Sequence, residues 1–207
     1  MNALKYSCIF SLCFLTACAP HKVEQSLSGG ELSPSGQSKP LMQNEATVSA
    51  KTISSWDISG AMAARNQKKG WSASLHWAQQ GPSQYHIRLS GPLGGGTVLI
   101  DKQGGVVTYA DGPKRASSHN ADDLLQQQTG IRLPVQNLYY WVRGLPAPGS
   151  VEAAQYDEHH NLIALSQAGY KIYYTNYSSI DHINLPGKIN LQGNGVVIKL
   201  VIKRWNI

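Results

Sequence analysis

Beyond residue 55, apolar and polar positions alternate with a period of two over one stretch after another. Trp56, Ile58, Gly60 and Met62 share one parity, and Trp71, Ala73, Leu75 and Trp77 share another, with Ser72, Ser74 and His76 opposite. Tyr85, Ile87 and Leu89 alternate in the same way with Gln84, His86 and Arg88. Successive side chains of a strand point to opposite faces, so this spacing predicts half-buried strands. The Gly81-Pro82-Ser83 turn between the second and third predicts a hairpin. Strand-like stretches continue at Thr97 to Asp101, Val106 to Ala110, Val151 to Tyr156, Leu162 to Gln167, Tyr170 to Thr175, Ile183 to Leu191 and Val196 to Trp205. Short strands joined by turns predict a mainly β chain, an antiparallel sheet or barrel.

Two helices interrupt the pattern. The first spans Ala121 to Thr129, with Asn120 as N-cap, Asp122 and Asp123 at the positive end of the dipole, and Gly130 as its stop. The second starts at Pro134 in a first-turn position, carries Val135, Leu138, Trp141 and Val142 near one face, and stops at Gly144 before Pro146. Periodicity alone leaves open whether these helices form a lid or cap an ordinary core. It equally leaves open whether Trp71, Leu75, Trp77, Tyr85, Ile87 and Leu89 pack solidly or line a cavity.

The front of the chain changes the picture. Lys5 precedes an apolar run from Cys8 to Leu15, the layout of a secretory signal and too short to span a bilayer. The run ends in Leu15-Thr16-Ala17-Cys18, a match to the bacterial lipobox that predicts cleavage after residue 17 and lipidation of Cys18. Cys8 and Cys13 lie in the signal, so the mature chain would hold no disulfide, no cysteine nucleophile and no cysteine metal site. Ala19, where an Asp would favour the inner membrane, points to the outer membrane. Residues 18–50 then read as the lipidated cysteine followed by a flexible tether of Ser, Gly, Pro, Gln and Asn. Such a tether reaches on the order of 30 Å. Residues 51–207 read as one β-domain.

Charge and missing chemistry narrow the function. Of 18 Lys and Arg, only Lys5 lies in the signal, leaving 17 against 12 Asp and Glu, a balance of +5. A basic exported chain suits anionic lipid headgroups or an acidic partner and makes nucleic acid implausible. Lys68 and Lys69, with Lys199, Lys203 and Arg204, are candidates for such a patch, although a scattered solvated surface is the commoner arrangement. Nucleophile elbows, Walker loops and His-Glu-x-x-His motifs are absent from the sequence, and Gly94 to Gly96 lacks the Lys and helix of a phosphate loop. Asp157, Glu158, His159 and His160 end in Asn161 and read as an exposed turn rather than a metal site. No enzyme activity, metal or cofactor is expected. Both phenylalanines, Phe10 and Phe14, lie in the signal, so every mature aromatic is Trp or Tyr, amphipathic types that suit lipid and water alike.

In chain order stand the runs Leu75-His76-Trp77, Ser90-Gly91-Pro92-Leu93-Gly94, Gly130-Ile131-Arg132-Leu133-Pro134-Val135-Gln136-Asn137-Leu138, Trp141-Val142-Arg143-Gly144-Leu145-Pro146, Gln167-Ala168-Gly169-Tyr170 leading into Tyr173-Tyr174, and Leu185-Pro186. Together they resemble the LolB family of outer-membrane lipoprotein receptors. The resemblance covers Trp56 to Trp205, with Tyr170 standing where the family often has Trp. It implies an open, strongly curved antiparallel half-barrel with a short helical lid enclosing an apolar cavity for acyl chains. On this chain the implied cavity and lid residues are Trp71, Leu75, Trp77, Tyr85, Ile87, Leu89, Leu125, Leu138 and Trp141, and the implied membrane-touching loop is Pro92, Leu93 and Gly94. The implied partners are a periplasmic carrier of the LolA type, acylated lipoproteins as cargo and outer-membrane lipid, with the protein itself a monomer facing the periplasm. An anchored lipid- or glycolipid-binding envelope protein without lipoprotein transfer is the alternative, and an envelope hydrolase with concealed catalytic groups a more remote one.

Overall fold

The computed structural model describes residues 50–92 and 95–207. The signal segment, Cys18, the tether through residue 49, Leu93 and Gly94 lie outside the described residues. Eleven strands form one open, curved antiparallel sheet: β1 (Trp56–Arg65), β2 (Gly70–Gln80), β3 (Gln84–Ser90), β4 (Thr97–Gln103), β5 (Val106–Asp111), β6 (Lys114–Ser118), β7 (Val151–Tyr156), β8 (Leu162–Gln167), β9 (Tyr170–Ile180), β10 (Ile183–Gly193) and β11 (Val196–Asn206). Their spatial order is β6-β5-β4-β3-β2-β1-β11-β10-β9-β8-β7. The first and last strands therefore pair in the middle of the sheet. Twist accumulated over so many strands curls an open sheet. The concave face carries Ile58, Leu75, Ile87, Ile100, Ile172, Leu191 and Leu200, all buried.

One bulge sets the register at the centre. Ser59 faces Arg204 but Gly60 faces Ile202, so Lys203 is an extra residue on β11. The extra residue lets both Ile202 and Trp205 point inward despite their odd spacing. Gly60 is fixed by close approach, since a Cβ there would sit 1.9 Å from the Val201 carbonyl oxygen.

Hairpin turns with left-handed residues close several strand pairs: Gly104 and Gly105 (φ 57° and 83°), Ala168 and Gly169 (54° and 76°), Asp181 and His182 (46° and 68°) and Asn194 and Gly195 (48° and 75°). Such pairs match the right-handed strand twist. Ala168 has a Cβ in this region, at a cost of about 1 kcal/mol. Ala168→Gly is therefore expected to stabilise the fold by up to about 1 kcal/mol in urea unfolding, part of the gain being offset by the greater freedom of glycine in the unfolded chain.

The chain crosses from edge strand β6 to edge strand β7 through two helices, α1 (Ala121–Thr129) and α2 (Val135–Trp141). Asn120 caps α1, its side chain accepting from the Asp123 N–H at 3.1 Å, and left-handed Gly130 (φ 76°) ends it. Ala121, Leu124 and Leu125 are its buried face. The second helix is shorter than the sequence predicts. Pro134 precedes it at φ −80°, ψ 68°, and the chain leaves it at Trp141, passing through Val142 and Arg143 to a left-handed Gly144 (φ 73°). No helix among the described residues is long and apolar enough to cross a membrane.

Candidate functional site

The concave face has one filled end and one open end. At the filled end Trp205, Trp56, Trp77 and Tyr85, from four adjacent strands, stack edge to face with centroid separations of 5.7, 4.9 and 6.5 Å. The Trp77 indole donates to Gln79 Oε1 at 2.9 Å, and the Gln79 amide donates to the Gly81 carbonyl at 2.6 Å, which accounts for a buried glutamine there. The buried Trp56 indole nitrogen and Tyr85 hydroxyl have no hydrogen-bond partner among the described residues. These aromatics form the floor.

At the opposite end the inward positions are Trp71 and Ala73 on β2, Leu89 on β3, Val98 on β4 and Tyr109 on β5. Together with Pro92, Gly95, Gly96, Asp111 and the last turn of α1, Gln128 and Thr129, they surround a cavity of about 530 Å³. That volume is in the range of small-molecule sites. Trp71, Ala73 and Val98 are only half-buried, so the mouth presents apolar surface. The described stems of the β3–β4 loop line it. Gly91 N–H donates to the Gly96 carbonyl and Gly95 N–H to the Pro92 carbonyl, each at 3.0 Å, so the two stems are joined and Pro92 is exposed.

The helices roof the space between. Trp141 is fully buried, donates from its indole nitrogen to Gln167 Oε1 at 2.9 Å and meets the Tyr170 ring at 5.5 Å. Arg143, also buried, lies 4.2 Å from the Tyr139 ring centre and donates to the carbonyls of Tyr139 (3.1 Å), Ala50 (3.4 Å) and Ile53. With no carboxylate partner among the described residues, the guanidinium holds residues 50–53, which lead into β1, against α2. At the mouth the Asn66 amide donates to the Gly130 carbonyl at 2.7 Å, tying the β1–β2 hairpin to the end of α1.

Asp122 on α1 points under the roof, where burial raises its carboxyl above the ordinary value against the lowering influence of the Val135 N–H and Arg132. The folded state then holds this proton more tightly than the unfolded chain. Stability is lost as pH rises through the raised value. Asp122→Asn is expected to be more stable than the parent at neutral pH and indistinguishable from it below the ordinary carboxylate range, read from urea midpoints across a pH series. A less stable variant at neutral pH would show instead that the charge is needed.

A family model described as outer membrane lipoprotein LolB matches residues 54–205. The chain belongs to the LolB family. The outer-membrane lipoprotein LolB of Coxiella burnetii (strain RSA 493 / Nine Mile phase I) is 36% identical over 154 residues, 74% of this chain and 72% of that protein. The one from Pseudomonas syringae pv. syringae (strain B728a) is 34% identical over 204 residues, 98% of this chain and 96% of that protein. Among solved structures, a DUF1329 family protein from Desulfovibrio piger has a TM-score of 0.48 at 6% identity, over 77% of this chain and 88% of that one. A LolA superfamily protein from Nitrosomonas europaea has a TM-score of 0.43 at 9% identity, over 74% and 86%.

On this LolB-family chain the residues singled out from sequence fall at different depths. Trp71 and Leu89 line the mouth cavity. Leu75 and Ile87 are buried between mouth and floor, Trp77 and Tyr85 belong to the floor, and Leu125, Leu138 and Trp141 reach down from the helices. Of the loop residues Pro92 is described, while Leu93 and Gly94 lie outside the described residues, as does Cys18. Tyr109, Val98 and the end of α1 were not anticipated. Tyr109 was legible as an inward aromatic on a predicted strand, but its place at the mouth depends on strand order. No cluster of three His, Cys, Asp or Glu suited to a metal occurs among the described residues. His159 and His160 sit on a turn in which the Asp157 carboxylate accepts from the His159 and Asn161 N–H groups at 3.0 and 2.8 Å.

Proposed function

We propose that this chain is a lipid-anchored outer-membrane receptor that accepts acylated lipoproteins from a periplasmic carrier of the LolA type and inserts them into the membrane. The single observation that carries the reading is the apolar mouth on the concave face, half-exposed at Trp71, Ala73 and Val98 and roofed by helices. Acyl chains entering there would first meet Trp71 and Leu89, and with the roof displaced would reach Leu75 and Ile87. Leu125, Leu138 and Trp141 would close over them. Transfer then runs on differences in apolar burial, with no nucleotide, metal or covalent step.

The exposed β3–β4 loop beside this mouth is the element that meets outer-membrane lipid, with Leu93 as the entering side chain. Burial of one leucine contributes about 2 kcal/mol, enough to guide release without holding the domain in the bilayer. Lipidated Cys18 supplies the permanent anchor, residues 18–50 the reach, and residues 51–207 the receptor domain, which works as a monomer. Incubating the chain with carrier loaded with labelled lipoprotein tests the reading: label should leave the carrier and travel with this chain. Label that stays on the carrier excludes the receptor reading and leaves a lipid-binding protein without transfer.

A further inference from the structure

Exposed cations outnumber carboxylates at one end of the sheet. Arg65, Lys68 and Lys69 at the β1–β2 hairpin, Lys114 and Arg115 after the β5–β6 turn, and Lys171 at the start of β9 are all exposed. The strand register puts every one of them at the mouth end. Arg65 pairs with Gly70 and Val197, Lys114 with Asp111, and Lys171 with Gln192 beside the β10–β11 turn. Ser90, where the β3–β4 loop leaves the sheet, pairs with Ser74 and so lies at the same end. None of these cations takes part in the ion pairs found among the described residues, which join His76 to Asp57, His86 to Asp101, Arg132 to Asp123 and His159 to Glu158. Acidic residues at the mouth end are Asp111 and Glu152. Asp57, Asp101, Asp157, Glu158 and Asp181 are near the floor end. Lys203 and Arg204, grouped with Lys68 and Lys69 from sequence, are at the floor end, because Arg204 pairs with Ser59 near the start of β1.

We infer that the mouth rim is a docking surface for anionic phospholipid headgroups, and that it turns the β3–β4 loop and the cavity toward the bilayer. The inference rests on the transfer reading above and adds a partner chemistry and an orientation to it. Two arguments favour lipid as the occupant. The cations surround the loop on several separate hairpins, a spread that matches a plane of phosphates better than a single pocket. Among the described residues they also lack carboxylate partners, and the contacts of Arg115 with backbone carbonyls and of Lys114 with the Tyr109 ring leave their charge uncompensated and available to a surface. Each basic residue near an anionic membrane strengthens binding roughly fivefold, so a handful suffices to orient a tethered domain. The attraction decays within a Debye length, about 8 Å at physiological salt, so it acts only once the rim is close to the membrane.

The test uses the full mature chain with Cys18→Ser, which removes the lipid and leaves the rim as the route to the vesicle. Sedimentation with phosphatidylcholine vesicles is compared with sedimentation with vesicles that also contain phosphatidylglycerol. The expected result is stronger binding to the anionic vesicles, reversed by added salt. Lys68→Glu with Lys114→Glu should weaken that binding tenfold or more, and Lys203→Glu with Arg204→Glu at the floor end should leave it largely unchanged. Equal binding to both vesicle types, or equal loss from both charge reversals, overturns the inference. If the mouth-rim reversal spares vesicle binding but prevents capture of cargo from the carrier, the rim belongs to an acidic protein face instead. Capture of cargo in solution without vesicles is scored separately for the Cys18→Ser parent, and failure of that parent to capture counts against the transfer reading and not against the rim. Unfolding midpoints of the three proteins confirm that each is folded.

Discussion

Leu93→Glu is expected to leave uptake of cargo intact and to abolish its delivery to vesicles. The loop stems are joined by the Gly91–Gly96 and Gly95–Pro92 hydrogen bonds, so a change between them leaves the sheet untouched. Leucine gains about 2 kcal/mol on entering apolar lipid, whereas a carboxylate must be neutralised or kept in water. The substitution thus turns a favourable step into an unfavourable one at the point where cargo leaves. The measurement is the fraction of labelled lipoprotein that floats with vesicles after incubation with loaded carrier, beside the fraction held by the receptor. Delivery by the variant at the parent rate would remove the loop from the mechanism, and loss of uptake would place it at the carrier interface.

Trp141→Ala should cause the largest loss of stability. The side chain is fully buried, contacts Tyr170 edge to face at 5.5 Å and donates to Gln167. The same Gln167 amide exchanges hydrogen bonds with Ala147, accepting from its N–H at 2.8 Å and donating to its carbonyl at 2.7 Å, so the indole is one member of a buried polar group that holds the exit from α2 against β8. Deleting the ring leaves a large cavity and a glutamine acceptor short of one donor, a loss of about 3 to 5 kcal/mol in urea unfolding. Trp141→Phe keeps most of the apolar contact and should recover roughly half of that. A loss below about 1 kcal/mol for the alanine variant would mean that the roof is held elsewhere.

Most strands were legible because one buried face imposes a period of two, and α1 because Asn120 and Gly130 mark its ends. Strand β6 was not, since Lys114-Arg115-Ala116-Ser117-Ser118 has no apolar alternation; its place comes from the ladder to β5. Strand β9 runs to Ile180, beyond the Thr175 boundary drawn from sequence, because Asn176 at φ 59° interrupts the alternation where Gly187 of β10 comes close. The Asp181-His182 turn carries no glycine and gave no signal. Parity groups Leu75 with Trp77 on β2 and Tyr85, Ile87 and Leu89 on β3, and each group is buried, but depth was invisible to it. Leu89 and Tyr85 share a face of β3, yet Leu89 lines the mouth cavity beside Tyr109 of β5 while Tyr85 stacks on Trp77 in the floor. The Lys203 bulge shows the same limit, since it carries Trp205 back to the inner face against simple alternation.

The central claim is that cargo acyl chains rest on the concave face, and neighbouring residues on opposite faces of one strand test it most directly. A photoreactive side chain placed at Leu89, which lines the cavity, is compared with one at exposed Arg88 on the outer face, each in the presence of carrier loaded with acyl-labelled lipoprotein. The account predicts labelled adducts at position 89 and none at 88. Adducts at 88 alone, or equally at both, would contradict it and place the cargo outside the half-barrel.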